Sequence, residues 1–224
     1  MKIISIFCFS LLCAAFITSC GLDNYDEPKS TLQGKVTYNG QAIGVRGTSE
    51  AVQLQLYQDG YEKRDPIPVY LGQDGTYKAS LFNGQYKLIT KSGNGPWQNR
   101  KDTLLVDVSG TTTCDVSVTP YFLLTKESVS LSGNRVDASA TLEKVVASST
   151  ASSLLLLVGK TAFVDEGTYI ARQEVKNPEA GTVSLSLDLK DNKEAASAKI
   201  LYARIGVKAA EADQYTYTPV IKIR

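Results

Sequence analysis

The densest binding chemistry in the chain is the stretch Ser92-Gly93-Asn94-Gly95-Pro96-Trp97-Gln98-Asn99-Arg100-Lys101-Asp102, which is rich in amides and holds the chain's one tryptophan. A sugar ring presents an apolar C–H face and equatorial hydroxyls. A flat indole can take the face while Gln98, Asn99 and Arg100 bond the hydroxyls. The competing reading is that Trp97 plugs the end of a sandwich or a domain contact, since a lone loop tryptophan commonly packs. Tyr57, Tyr61 and Tyr70 can extend the platform from an exposed strand face, or be ordinary strand aromatics. Asp59-Gly60 and Asp165-Glu166-Gly167 offer carboxylates, but neither has the spacing of a calcium loop, and turn chemistry explains both. No acid pair for glycoside hydrolysis can be chosen, because the ~5 to 9.5 Å separation it needs is a tertiary quantity.

Other chemistries are removed by composition. The chain has no histidine, which excludes Ser-His-Asp and Cys-His catalysis, histidine zinc sites and an imidazole switch. No nucleophile stands beside a base, so the expectation is a non-catalytic protein with no cofactor and no metal. The formal charge is +1, and Lys63-Arg64 and Arg100-Lys101 are isolated pairs. No basic stripe of the kind nucleic acid requires is present.

The amino terminus reads as an address. Lys2, the apolar run Ile3 to Ile17 and small residues before a cut site form a secretory signal over residues 1–19. Ile17-Thr18-Ser19-Cys20 resembles the lipobox of bacterial lipoproteins, where the cysteine thiol carries lipid. Several acyl chains at about 0.8 kcal/mol per buried CH₂ anchor a domain almost irreversibly. Residues 20–30 then form the lipidated cysteine and a polar, acidic tether. Acids following such a cysteine resemble the export signal of surface lipoproteins in Bacteroidetes, though Asp23, Asp26 and Glu27 sit further from it than usual. A plain solvated linker is the other reading. Cys8 and Cys13 leave with the signal and Cys20 takes lipid, so Cys114 stands alone and no intramolecular disulfide is expected. It falls in phase with Val116 and Val118 and reads as a small buried hydrophobe.

The remaining elements are strands. Period-two alternation and turn residues mark Leu32 to Val36, the Tyr38-Asn39-Gly40-Gln41 hairpin, Val52 to Leu56, an edge segment at Pro66-Ile67-Pro68, and Tyr77 to Leu81. Tyr86 to Thr90, Leu104 to Val108 and Cys114 to Val118 follow. They predict one β-sandwich over residues 31–120. A second sandwich over 121–224 is expected from Val129-Leu131, Val136 to Leu142, Leu154 to Val158, Tyr169-Ile170, Val183 to Leu189, Leu201 to Val207 and Tyr215 to Ile223. Leu154-Leu155-Leu156-Leu157-Val158 is apolar on both faces, as in a central strand or one at a domain contact. Glu143 to Ser153 has room for a short helical turn.

Leu32-Gln33-Gly34-Lys35-Val36, Gln73-Asp74-Gly75-Thr76-Tyr77 and Asn83-Gly84-Gln85-Tyr86-Lys87-Leu88 resemble a carboxypeptidase-regulatory, transthyretin-like sandwich. Tyr202-Ala203-Arg204-Ile205-Gly206-Val207 is similar to a late strand of immunoglobulin-like and fibronectin type III sandwiches, where a tyrosine often bonds across a corner. From Asp23-Asn24-Tyr25-Asp26-Glu27-Pro28 to Tyr217-Thr218-Pro219-Val220-Ile221, the chain resembles a two-domain Bacteroidetes lipoprotein family, domain-of-unknown-function family 3823. The resemblance implies an all-β chain of two tandem β-sandwiches, transthyretin-like then immunoglobulin-like, on the outer membrane. It also implies a surface accessory role in a Sus-type polysaccharide-uptake system, with a glycan and the transporter proteins as partners. A structural or adhesive subunit that holds proteins through sheet edges is the alternative. Fold likeness supplies no site residues.

Overall fold

Alternation is realised almost strand for strand in the computed structural model, which describes residues 26–60 and 65–224. Cys20, the signal, most of the tether, Tyr61 and Lys63-Arg64 lie outside the described residues.

In the first unit β1 (Ser30–Tyr38) turns its even residues inward, with Leu32 and Val36 fully buried, and leaves Gln33 and Lys35 on the outer face. It pairs with β2 (Gln41–Ala42) through a turn in which Asn39 and Gly40 have φ of 48° and 77°. Two left-handed residues make the hairpin turn whose twist matches the strands, which is why Asn-Gly stands there. The second sheet begins with β3 (Gln53–Tyr57) and β4 (Ile67–Tyr70). β5 (Thr76–Leu81) pairs antiparallel with β1. β6 (Gly84–Thr90) and β7 (Leu104–Val108) complete the second sheet in the order β4-β3-β6-β7. β4 is an edge, as Pro66 and Pro68 dictate, since proline cannot donate on both sides. On the other flank of β1, β8 (Thr111–Thr113) and β9 (Val116–Ser117) run parallel to it. Cys114 and Asp115 interrupt these two strands, so Cys114 is half-buried at a break instead of buried within a strand. The Asp115 carboxylate fills the gap by accepting the Lys35 N–H at 2.9 Å. Leu54, Leu56, Tyr86, Leu88 and Val106 close the core between the sheets.

In the second unit β10 (Phe122–Ser132), β11 (Arg135–Lys144) and β14 (Gly181–Asp188) form one sheet. β12 (Ala151–Gly159), β13 (Ala171–Lys176), β15 (Tyr202–Ala209), β16 (Thr216–Tyr217) and β17 (Ile221–Lys222) form the other. β12 explains its unbroken apolar run. Leu154, Leu156 and Val158 face the main core, while Leu155 and Leu157 pack on Val164 and Tyr217 behind the sheet.

Three local expectations are corrected. Glu143–Ser153 is not helical: β11 runs to Lys144, a turn follows, and β12 begins at Ala151. The one helix among the described residues is α1 (Lys193–Ser197), where Asn192 caps by accepting the Ala195 N–H at 2.9 Å. Tyr169-Ile170 precedes β13 instead of forming a strand. The closing strand is split around Pro219, whose missing N–H cannot serve the ladder, and the Thr218 hydroxyl accepts the Ile205 N–H there at 3.1 Å.

Candidate functional site

The Ser92–Asp102 loop joins β6 to β7, and two of its side-chain amides, those of Asn94 and Asn99, are bonded to backbone. Asn94 accepts the Gln53 N–H at 2.7 Å and donates to the Ala51 carbonyl at 2.8 Å, tying the loop to the start of β3. Gln98 N–H donates to the Thr119 carbonyl at 2.9 Å, and Tyr121 N–H to that of Pro96 at 3.1 Å. The indole is drawn under the link between the units, where Trp97 is 3% exposed within the first core. Gly95 passes so close that a Cβ there would lie 2.1 Å from the ring. Trp97 is therefore a plug, and the expected aromatic platform does not form there: a sugar has no access to its face. Gln98 and Asn99 are exposed, Asn99 accepting the Gly93 N–H at 2.8 Å, and Arg100 is ion-paired with Asp102. That pairing holds the Asp102 carboxyl below the usual carboxylate range. Half-buried Tyr57 lies at the far end of β3 from Gln53, about 13 Å at ~3.3 Å per residue, so it is not part of this loop.

The structure instead assembles polar groups on the outer face of the β1–β5 sheet. An open groove of about 700 Å³ is lined by Gln33, Lys35, Thr76, Lys78, Thr113 and Asp115, with Gly34 and Gly72 in its floor and Tyr70 at its rim. Period two puts these side chains on one face: Gln33 stands opposite both Lys78 and Thr113, and Lys35 opposite Thr76. Gly34 is required, because a Cβ there would lie 1.9 Å from the Cys114 carbonyl oxygen. The buried Tyr77 hydroxyl donates to that same carbonyl. Burial, then the nearby Cys114 and Asp115, raise the Tyr77 phenol well above its ordinary value. Asp74 accepts the Thr76 hydroxyl at 2.7 Å and its N–H at 3.1 Å, which sets the turn beside the groove.

Tyr70 is 38% exposed. Desolvation and a hydrogen bond to the Glu50 carboxylate raise its phenol. Glu50 and its neighbour Ser49 have φ of 53° and 57°, a left-handed conformation unusual for side-chain-bearing residues. The groove thus combines amide, hydroxyl, ammonium and carboxylate groups with one aromatic rim. Such a set can both donate to and accept from a polyhydroxylated ligand. A second cleft of about 640 Å³ lies between the units, lined by the Tyr38–Gln41 hairpin and by Lys126, Glu127, Glu143 and Lys144. Its charges balance, and none of the exposed large aromatics lines it. Among the described residues no three His, Cys, Asp or Glu side chains gather as metal ligands.

The joint between the units went unread in the sequence. Arg204 is 1% exposed, in the middle of β15. Its guanidinium donates to the carbonyls of Thr218 (2.8 Å) and Val164 (3.3 Å) in its own unit. It also donates to those of Val45 (3.1 Å) and Gln73 (2.6 Å) in the first. It lies 4.4 Å from the centre of the Tyr217 ring, which in turn covers Gly206. Burial draws the guanidinium down to about 10, still charged at neutral pH. The Tyr217 hydroxyl donates to Glu166, which is paired with Arg46 at 3.4 Å. Asp165, 1% exposed, accepts the Thr48 hydroxyl at 2.8 Å and its N–H at 3.2 Å. Asp165-Glu166-Gly167 is the turn expected, with Asp165 also accepting the Gly167 N–H at 2.9 Å, but it fastens one unit to the other as well. The tyrosine that bonds across a corner is Tyr217; Tyr202 packs partly buried behind β12. The available signal was a lone arginine in the apolar run Leu201 to Val207, since a cation there must be fully partnered.

Comparison with known proteins places the chain. It is 48% identical to a DUF3823 family protein from Parabacteroides merdae, covering 89% of this chain and 100% of that one, with a TM-score of 0.85. A DUF3823 family protein from Bacteroides ovatus is 35% identical over 87% of this chain and 98% of that one, with a TM-score of 0.80. A protein from Bacteroides uniformis, described as "a putative carbohydrate binding protein", shares the fold at 20% identity, over 88% and 99% of the two chains, with a TM-score of 0.74. No curated protein matches the chain. The models of the N-terminal and C-terminal DUF3823 domains match residues 30–119 and 122–222, so the chain belongs to this family of unknown function.

Proposed function

We propose that this protein is a non-catalytic, carbohydrate-binding lipoprotein, held by lipid on Cys20 at the outer-membrane surface and serving a Sus-type polysaccharide-uptake system. The observation that carries the reading is the β1–β5 groove. Its Tyr70 rim can stack on the apolar face of a sugar ring, while Gln33, Lys78, Thr113 and Asp115 bond hydroxyls across the sheet. An open, shallow groove suits a stretch of polysaccharide better than a small metabolite, which proteins usually enclose. The description of the Bacteroides uniformis relative as a carbohydrate binder supports the same class.

The test is affinity electrophoresis of the mature chain in gels containing amylopectin, xyloglucan or chondroitin sulfate. One polysaccharide should retard the protein, and Tyr70→Ala should abolish the retardation; retention of it by Tyr70→Ala removes this site. Protease treatment of intact cells should degrade the protein if it faces outward. Docking of partner proteins on the β4 edge has less support. Ile67 and Tyr70 are exposed there, but Pro68 cannot contribute a donor to an added strand.

A further inference from the structure

We propose that the second sandwich braces the groove, with Arg204 and Asp165 as positioning residues that fix its wall from behind. The inference rests on the carbohydrate reading of the groove. The turn between Leu71 and Thr76 has two sides. Gly72 and Thr76 line the groove, whereas Gln73 faces the second unit. Its carbonyl accepts both the Arg204 guanidinium at 2.6 Å and the Val45 N–H at 3.1 Å, and its side-chain amide donates to the Ala162 carbonyl at 2.9 Å.

The Arg46 to Glu50 loop is held the same way. Thr48 is bonded to buried Asp165, Arg46 is paired with Glu166, and Gly47 runs so near Gln73 that a Cβ would meet its backbone nitrogen at 2.7 Å. Directly after Thr48 come Ser49 and Glu50 in the left-handed conformation. Side-chain-bearing residues persist there only when their surroundings over-determine the backbone. The clamp on Thr48 supplies that constraint, directly before the two residues that need it. A site whose wall is fixed in advance loses less freedom when ligand binds, so its affinity depends on the brace although no brace atom touches the ligand.

The mature chain carrying Arg204→Lys, or the shape-preserving Asp165→Asn, is compared with the parent by amide hydrogen exchange. Peptides covering residues 71–76 report the wall, those covering 46–50 report the loop packed against Gln73 behind it, and residues 135–144 in β11 report global stability. Exchange at the wall should rise about tenfold or more with β11 unchanged, and affinity in the retarding polysaccharide gel should fall about tenfold. Unchanged exchange at the wall in both variants, or a rise matched in β11, overturns the brace. A loosened wall with undiminished affinity overturns its positioning role. If none of the three gels retards the parent protein, the carbohydrate reading fails, while the exchange data still decide whether the second unit holds the turn.

Discussion

Replacing Trp97 by alanine separates a core plug from a ligand platform, because the two roles predict opposite outcomes. The indole is 3% exposed and packs with Val52, Val118 and their neighbours in the first core. Burying a ring of roughly 200 Å² at ~25 cal/mol/Å² stabilises by about 5 kcal/mol at most. Large-to-alanine substitutions in cores cost about 3–5 kcal/mol, depending on how far the site collapses. Collapse is limited here: Gly95 beneath the ring has no side chain to move in, and the Trp97–Pro120 bridge fixes the backbone. The expected loss is therefore about 3–5 kcal/mol, against a total of ~5–15 kcal/mol for an ordinary domain. The substitution removes the chain's only tryptophan, so urea unfolding is followed by far-ultraviolet circular dichroism. Polysaccharide retention by the variant, measured where it is still folded, should equal that of the parent. A loss below about 1 kcal/mol together with abolished retention would refute the assignment, since a surface residue costs little stability.

Arg204→Met fills similar volume but takes the guanidinium donors from four carbonyls and removes a positive charge near the Asp165 and Glu166 carboxylates. Breaking a buried charge network in this way costs about 3–5 kcal/mol, and two separated unfolding transitions should replace any single one in scanning calorimetry. Gly34→Ala drives a Cβ to 1.9 Å from the Cys114 carbonyl oxygen, a backbone atom that cannot rotate aside. Overpacking of this kind costs about 1–3 kcal/mol, visible as a lower melting temperature. At alkaline pH the buried Tyr77 and Tyr217 hydroxyls stay protonated beyond the ordinary 10.0, raised chiefly by burial. Their folded values lie above the unfolded one, so the stability they contribute is complete below pH 10 and is lost as pH rises beyond it. Each phenol contributes a slope of about 1.4 kcal/mol per pH unit, and Arg204, drawn down to about 10, opposes one of them. Urea midpoints at increasing pH should therefore fall above pH 10, and phenolate absorbance should show two tyrosines titrating only on unfolding.

The strands were legible because alternation and turn residues act locally. Asn39-Gly40 names its turn, Pro66 and Pro68 name an edge, and Leu32 with Val36 names an inner face. The misread places are those where a distant group decides. Cys114 looked in phase with Val116 until Asp115 replaced a ladder partner of Lys35. The Tyr215 to Ile223 alternation ran through Pro219, but the missing N–H divided the strand.

By itself the sequence determined an all-β chain of two sandwiches and excluded histidine chemistry, since period, turn propensity and composition need no partner to be read. Tertiary structure alone decided that Trp97 is interior, that Gln33, Lys78 and Thr113 share one groove, and that Arg204 joins the units. Those facts depend on registers and contacts between residues up to 159 positions apart, as between Arg204 and Val45. A side chain's type fixes what it can bond; only the fold fixes what lies within reach.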